Sequence, residues 1–187
     1  MEIKDVVAII SSVIGISGLA FGLYQYTIAQ KWKRSEFAAK HLEELSSDPE
    51  LELCCKLLDW AVREVPVPDK YRMLTNESKF VHDWRILADA MAPESSDCQF
   101  DWQHMLYRDL FDHFFDYIER INHYIAIKLI SESDTSSLKY WLEQIAAPRF
   151  APPDQKSRFL SFIKRYEYDG VTEMMSRFEI PFQATDT

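Results

Sequence analysis

From Val6 to Gln30 the sequence reads VVAIISSVIGISGLAFGLYQYTIAQ, a run of 25 residues without a charge. Because an α-helix rises about 1.5 Å per residue, about 20 apolar residues cross the hydrocarbon of a bilayer, and this run is long enough. A cleaved signal peptide is the alternative, but the residues before the run are not basic and no A-x-A-like site follows it. The sequence therefore predicts a transmembrane signal anchor over residues 1–30 and a second domain over residues 31–187.

The two ends of this run differ in charge. Glu2, Lys4 and Asp5 sum to −1 before it, and a basic collar follows it. Tyr and Trp favour membrane interfaces, and Lys and Arg are retained on the cytoplasmic side. These preferences place the N-terminus outside a bacterial inner membrane and the chain from position 31 onward in the cytoplasm. The predicted interfacial anchor consists of the aromatic and basic residues at this end, Tyr24, Tyr26, Lys31, Trp32, Lys33 and Arg34.

Three of the four glycines lie in the predicted membrane helix. Gly15, Gly18 and Gly22 follow Ser11 at spacings of four, three and four residues, which keeps all four on one face. Small residues on one face permit close approach of a second helix, and Gly18 with Gly22 forms a G-x-x-x-G pair. The alternative is that glycine is simply more common in membrane helices than in soluble ones. We predict a homo-oligomer that packs through these four residues.

The composition disfavours several classes of function. The 187 residues carry a net charge of −9, whereas nonspecific binding of duplex DNA depends on neutralising phosphates with Lys and Arg. Cys54, Cys55 and Cys98 are an odd set without a second C-x-x-C, so neither a disulfide framework nor a zinc site is expected. Walker A, G-x-G-x-x-G, G-x-S-x-G and H-E-x-x-H motifs are missing from the sequence. We expect no metal and no cofactor.

Beyond Gln30, apolar residues recur at spacings of three and four, which predicts an all-α bundle of about five to six helices. The membrane helix should continue without a break to about Leu45, and Asp48 followed by Pro49 is typical of a new helix start. Two prolines in three residues predict a loop over residues 64–69. The expected helices of the domain cover residues 49–63, 75–91, 101–131, 136–146, 155–165 and 171–178, with 101–131 as the central helix.

One constellation on the central helix has a chemical rationale. It is Arg108-Asp-Leu-Phe-Asp-His113, in which a polar residue follows Arg and His stands at the fifth position after it. This spacing resembles the R-x(4-6)-H motif of HEPN domains, helical modules that often dimerise and include metal-independent ribonucleases. The resemblance implies that Arg108 holds the scissile phosphate, His113 exchanges a proton with a ribose or leaving oxygen, and Asp109 orients the two.

A structural interpretation of the same residues stays open. Arg108 would pair with Asp112 one turn on, and His113 would be half-buried beside Tyr117. On an ideal helix Arg108 and His113 also lie about 140° apart, so that one substrate reaches both only if the helix is distorted or a partner chain completes the site.

The layout as a whole resembles the membrane-bound HEPN-type accessory proteins of type VI CRISPR systems. It is also similar to uncharacterised bacterial single-pass proteins with one helical cytoplasmic domain. The first resemblance implies a homo-oligomeric effector of bacterial defence or stress response, ring- or pore-forming, at the inner membrane. The alternatives are a membrane-tethered ribonuclease of HEPN type and a noncatalytic scaffold or ligand-sensing module. The expected partners are membrane lipid and further copies of the chain, with RNA or a nucleotide signal as an open alternative, and duplex DNA is not expected.

Overall fold

The computed structural model describes residues 3–93 and 100–182. Its first element, α1, is one uninterrupted helix at Ile3–Ser47. The predicted continuation of the apolar helix into the rest of the chain is therefore confirmed. By length and composition, α1 is the one helix of the described residues that could cross a membrane.

The C-terminal half of α1 packs onto the remainder of the chain. Ala38 is buried, and the Phe37 ring meets Tyr124 edge-on at 5.1 Å between centroids. About two turns further on, Glu44 accepts a hydrogen bond of 2.7 Å from Arg120. These contacts fix the direction of α1 relative to the domain.

The second helix, α2, at Pro49–Asp59, begins where the sequence predicts. The Asp48 carboxylate accepts hydrogen bonds from the backbone N–H of Glu50 at 2.8 Å and of Leu51 at 3.2 Å. Such a cap satisfies donors that have no partner within the helix, and a proline in the first turn loses nothing because its missing N–H would be unpaired there.

Residues 62–90 depart from the prediction. They form strand β1 at Val62–Pro66, helix α3 at Asp69–Thr75, strand β2 at Lys79–Asp83 and helix α4 at Trp84–Ala90. The two strands pair antiparallel, with Val62 opposite Asp83. The predicted loop at 64–69 and the predicted single helix at 75–91 are therefore wrong, whereas the fold as a whole is mostly helical, as the sequence predicts.

The strand β2 was predicted as helix because the alternation of buried and exposed residues in it covers only five positions. In β2 the side chains of Phe80 and His82 are buried while Lys79 and Val81 are exposed, which is the two-residue alternation of a strand with one face on a core. Five residues of alternation also fit one face of a helix over the same window. Only the pairing with β1 distinguishes the two.

Helix α5 at Trp102–Ala126 is the central helix, as predicted. It packs against α2, α4 and, at its other end, α8. The sequence predicts an apolar stripe from Leu106 to Leu129 along this helix, and six of its seven members are buried on α5, namely Leu106, Leu110, Phe114, Ile118, Ile121 and Ile125. The seventh, Leu129, lies beyond the end of α5 and is 36% exposed.

The end of α5 comes five residues earlier than predicted. Lys128 adopts a left-handed backbone with a φ of 61°, and the N–H of Leu129 bonds to the Tyr124 carbonyl at 2.9 Å. A left-handed residue with this bond pattern closes a helix C-terminus. The chain then turns back toward α1 through a 3₁₀ turn at Glu132–Thr135, which contacts α1.

Three short helices complete the domain. They are α6 at Leu138–Ala146, α7 at Arg158–Arg165 and α8 at Asp169–Arg177, each within three residues of a predicted start. Rings from α5 and α7 form the centre of the core, where Phe111 and Phe159 meet edge-on at 4.9 Å between centroids. The described residues thus contain eight α-helices and two short strands.

Candidate functional site

Arg108 lies on the face of α5 that meets α4 and α7. Its guanidinium donates to the carbonyl oxygens of Ala90 at 2.9 Å and Ala92 at 3.2 Å, and to the hydroxyl of Tyr166. The charge also stands over the rings of Phe162 and Tyr166, at 5.2 and 5.5 Å from their centroids. Arg108 therefore satisfies the carbonyl end of α4 and fastens it to α7.

His113 lies on another side of the same helix. Its Nε2 is 3.2 Å from the free carboxylate oxygen of Asp48, the residue that caps α2. Partial burial alone would raise the pKa of Asp48, but hydrogen bonds from the Leu51 N–H, from His113 and from the Glu50 N–H together lower it. His113 thus faces a carboxylate that stays charged near neutral pH.

The two acids of the constellation, Asp109 and Asp112, also have partners. Asp109 accepts a hydrogen bond from the hydroxyl of Tyr71 on α3, and Asp112 accepts one of 2.8 Å from Tyr168. Burial raises the pKa of Asp112, although the Tyr168 hydrogen bond and the charge of Arg108 oppose it. Arg108 and Asp112 interact electrostatically, as the structural interpretation expects, but the hydrogen bonds of both go elsewhere.

The structure therefore does not bring Arg108, Asp109 and His113 to one point within this chain. Arg108 contacts α4 and α7, Asp109 contacts α3, and His113 contacts the start of α2. Their catalytic role stays a prediction that would require a second chain or a rearranged helix.

His113 borders an open cleft of about 670 Å³ between α2 and the start of α3. Pro49, Leu53 and Val67 provide apolar lining, and charged residues line the rest. The cations of the cleft are each paired with an acid at 3.0 Å or less, as Lys56 with Glu52, Lys70 with Glu50, and Arg72 with Asp69. A ligand of either charge would have to displace an existing ion pair, which disfavours this cleft as a binding site for charged ligands.

The two cysteines that the structure describes are buried thiols. The Cys54 Sγ donates to the Leu110 carbonyl at 3.1 Å, and burial raises the pKa of Cys55 to about 12. Neither is a reactive thiolate at neutral pH. Cys98 lies outside the described residues. In the described part of the chain, no group of His, Cys, Asp or Glu side chains could hold a metal ion.

The predicted membrane-helix residues are exposed. Ser11, Gly15, Gly18 and Gly22 all face outward on α1. Apart from the nearby backbone of α1 itself, a Cβ placed on any of the three glycines would meet no atom of the described residues within 4 Å. The predicted interfacial anchor is exposed as well, at Tyr24, Tyr26, Lys31, Trp32, Lys33 and Arg34. The described part of the chain thus covers neither the small-residue face nor the aromatic and basic collar.

Neither a protein-family model, nor a curated protein, nor a solved structure matches the chain. The resemblance to HEPN domains, which rests on Arg108, Asp109 and His113, stays a prediction. So does the similarity in layout to bacterial single-pass membrane proteins.

One buried titratable residue was not singled out from the sequence. His82 on β2 is fully buried, with Nε2 at 3.1 Å from the Trp60 carbonyl and Nδ1 at 2.9 Å from the Tyr107 hydroxyl. Because a carbonyl can only accept, Nε2 carries the proton and Nδ1 accepts from Tyr107. The two-residue alternation around Phe80 and His82 was the one sequence signal that could have shown this residue to face inward.

The burial of His82 predicts that acid destabilises the domain. Desolvation lowers its pKa from 6.5 to about 4, although hydrogen bonding to the Trp60 carbonyl opposes the shift. The unfolded chain therefore takes up a proton near pH 6.5 while the folded one does not, so stability falls as the pH drops from 6.5 toward 4. The expected loss is about 1.4 kcal/mol per pH unit within this window. Urea unfolding of the detergent-solubilised protein at a series of pH values measures it.

The matched variants for this experiment are His82→Gln and His123→Gln. Gln at position 82 can still donate to the Trp60 carbonyl but does not titrate, so the acid-dependent loss should shrink by most of that amount. His123 is exposed, and its replacement should leave the pH dependence as it is. An unchanged slope in His82→Gln would contradict the assignment.

Proposed function

We propose that this chain is a single-pass inner-membrane protein that self-associates through α1 and carries a helical cytoplasmic domain. The observation that carries the proposal is the uncovered apolar surface of α1. Six large hydrophobic side chains between positions 13 and 23 are each more than half exposed, namely Val13, Ile14, Ile16, Leu19, Phe21 and Leu23.

An apolar surface of this size is stable only when lipid or protein covers it. Soluble monomers rarely expose continuous apolar patches larger than a few hundred Å². The exposed residues of α1 surround the helix on all sides, which fits lipid better than one protein groove. Because the helix is uncharged from Val6 to Gln30, a bilayer is the medium that would cover it completely.

The basic collar supports the orientation. Lys31, Lys33 and Arg34 follow the apolar run, while the residues before it sum to −1. By the positive-inside preference the domain faces the cytoplasm and the N-terminus faces outside.

Self-association is supported by the open small-residue face. A second helix could approach the α1 backbone closely along Gly15, Gly18 and Gly22, because no side chain of the described residues occupies that space. An assembly of several such helices would suit an effector of bacterial defence or stress response that acts on the membrane, as a ring or a pore. The separation of Arg108 from His113 favours this function over catalysis by a single chain.

Membrane insertion and orientation are tested together in cells that express the full chain. We expect the protein to resist carbonate extraction, and protease added to spheroplasts should leave the domain from Lys31 onward intact. After the membrane is permeabilised, the same protease should digest it. Release by carbonate would refute insertion, and digestion in sealed spheroplasts would reverse the orientation.

A further inference from the structure

A second pocket lies at the junction between α1 and the domain. It measures about 830 Å³ and is bounded by α1 from Tyr26 to Ser35 on one side and by the segment that follows α5 on the other. The left-handed turn at Lys128 and the 3₁₀ turn at Glu132–Thr135 bring that segment against α1. We call this the junction pocket.

Cations from separate parts of the chain meet in the junction pocket. Lys31 and Arg34 come from α1, Lys128 from the end of α5, and Arg177 from α8. Residues 31–187 carry a net charge of −8, so this concentration of positive charge runs against the average of the domain. In the part of the chain that the structure describes, no carboxylate lies within ion-pair distance of Lys31, Arg34 or Lys128.

The two carboxylates of the junction pocket are already engaged. Glu132 pairs with Arg177 at 2.9 Å, and Asp134 accepts from the Ser131 hydroxyl at 2.6 Å and from its N–H at 2.9 Å. These two hydrogen bonds are the main cause of the lowered pKa of Asp134. With four cations and two carboxylates, the pocket keeps two net positive charges.

The position of the junction pocket relative to the membrane indicates which ligand it can bind. Tyr26 and Thr27 belong to the last turns of the uncharged run, and Lys31 and Arg34 begin the collar. If α1 spans a bilayer, these positions lie at the level of the phospholipid headgroups. The apolar side chains of Ile125 and Ile130 line the same pocket.

We propose that the junction pocket binds the phosphodiester headgroup of an anionic phospholipid from the cytoplasmic leaflet. The inference rests on the proposed membrane insertion of α1. Lys31, Arg34 and Lys128 hold the phosphate oxygens through charge-assisted hydrogen bonds, and Ser133 of the 3₁₀ turn lies beside the polar part of the headgroup. The bound lipid ties the domain to α1 and fixes the height of the domain at the membrane surface.

Native mass spectrometry of the full chain in neutral detergent tests the proposal, with equal amounts of phosphatidylglycerol and phosphatidylcholine added. We expect the protein to retain phosphatidylglycerol in preference. Lys128→Asn removes a charge that is far from the collar in sequence, and Asn tolerates the left-handed backbone at this position. Retention of phosphatidylglycerol should fall about tenfold in Lys128→Asn and in Arg34→Gln, as one charge-assisted bond is lost.

Lys33→Gln is the matched control, because Lys33 belongs to the same collar but does not line the junction pocket. It should keep the preference for phosphatidylglycerol. An equal loss in Lys33→Gln and Lys128→Asn would overturn the proposal, since it would indicate general attraction of a basic collar. Equal retention of both lipids by the unmodified protein would overturn it as well.

A parallel measurement with inorganic phosphate separates the two sources of a phosphate group. Phosphate binding that depends on Lys128, without retention of phosphatidylglycerol, would overturn the lipid assignment. Flotation with phosphatidylcholine vesicles tests the underlying proposal separately. A protein that does not float would refute membrane insertion itself, whereas one that floats but shows no lipid preference would refute only the junction pocket.

Discussion

Arg108→Ala is expected to lower the free energy of unfolding by about 3 kcal/mol, because the carbonyls of Ala90 and Ala92 lose their donor and the contact with Tyr166 disappears. The guanidinium also stands over the ring of Phe162, and that interaction is lost too. From the sequence alone, an exposed charge pair on a helix would be expected to contribute only about 0.3 to 0.5 kcal/mol. Thermal unfolding in detergent should show a Tm lower by about 10 °C.

Two further variants separate a structural role from a catalytic one. Arg108→Lys keeps the charge, but an ammonium group cannot bond to both carbonyls and Tyr166 at once as the planar guanidinium does. Its stability should therefore lie between those of the unmodified protein and Arg108→Ala. His113→Ala should remain folded, because the side-chain hydrogen bond that His113 makes among the described residues is to the partly exposed Asp48. RNA cleavage by the unmodified protein that is lost in folded His113→Ala would support the ribonuclease alternative. An Arg108→Ala protein as stable as the unmodified one would contradict the structural role.

Replacing both Gly18 and Gly22 by Leu is expected to dissociate the assembly in detergent. Each new side chain fills space on the α1 surface that the chain leaves open, and so prevents the backbone of a second helix from approaching. Light scattering of the detergent-solubilised particle should show its mass fall toward that of one chain. The helical content should not change, since Leu is a better helix former than Gly.

Ala20→Leu is the matched control, because it adds comparable bulk on the opposite side of the helix. Its particle mass should equal that of the unmodified protein. If the double variant keeps its mass, the cytoplasmic domain holds the assembly together instead. A particle of many subunits for the unmodified protein would support a ring, which vesicle permeability can then test, and a monomer would refute the proposed oligomer.

The sequence alone determined the features that depend on neighbouring residues. The uncharged run, continued without a breaker, specified α1 to within a few residues of its end, and the Asp48-Pro49 pair specified the start of α2. The apolar stripe from Leu106 to Ile125 identified α5 as the central helix, because apolar residues spaced by three or four positions in the sequence predict the buried face of a helix.

Only the tertiary structure decided the features that join distant segments. The strands β1 and β2 are stable because they pair with each other and turn Phe80 and His82 inward, and neither segment specifies that pairing by itself. Arg108 bonds to the carbonyls at the end of α4 because that end packs beside it, although the two segments are 16 to 18 positions apart in the sequence. The junction pocket exists because Lys128 turns the chain back toward Lys31, nearly one hundred positions earlier. Long-range contacts of this kind depend on where whole elements pack, which no local spacing of residue types encodes.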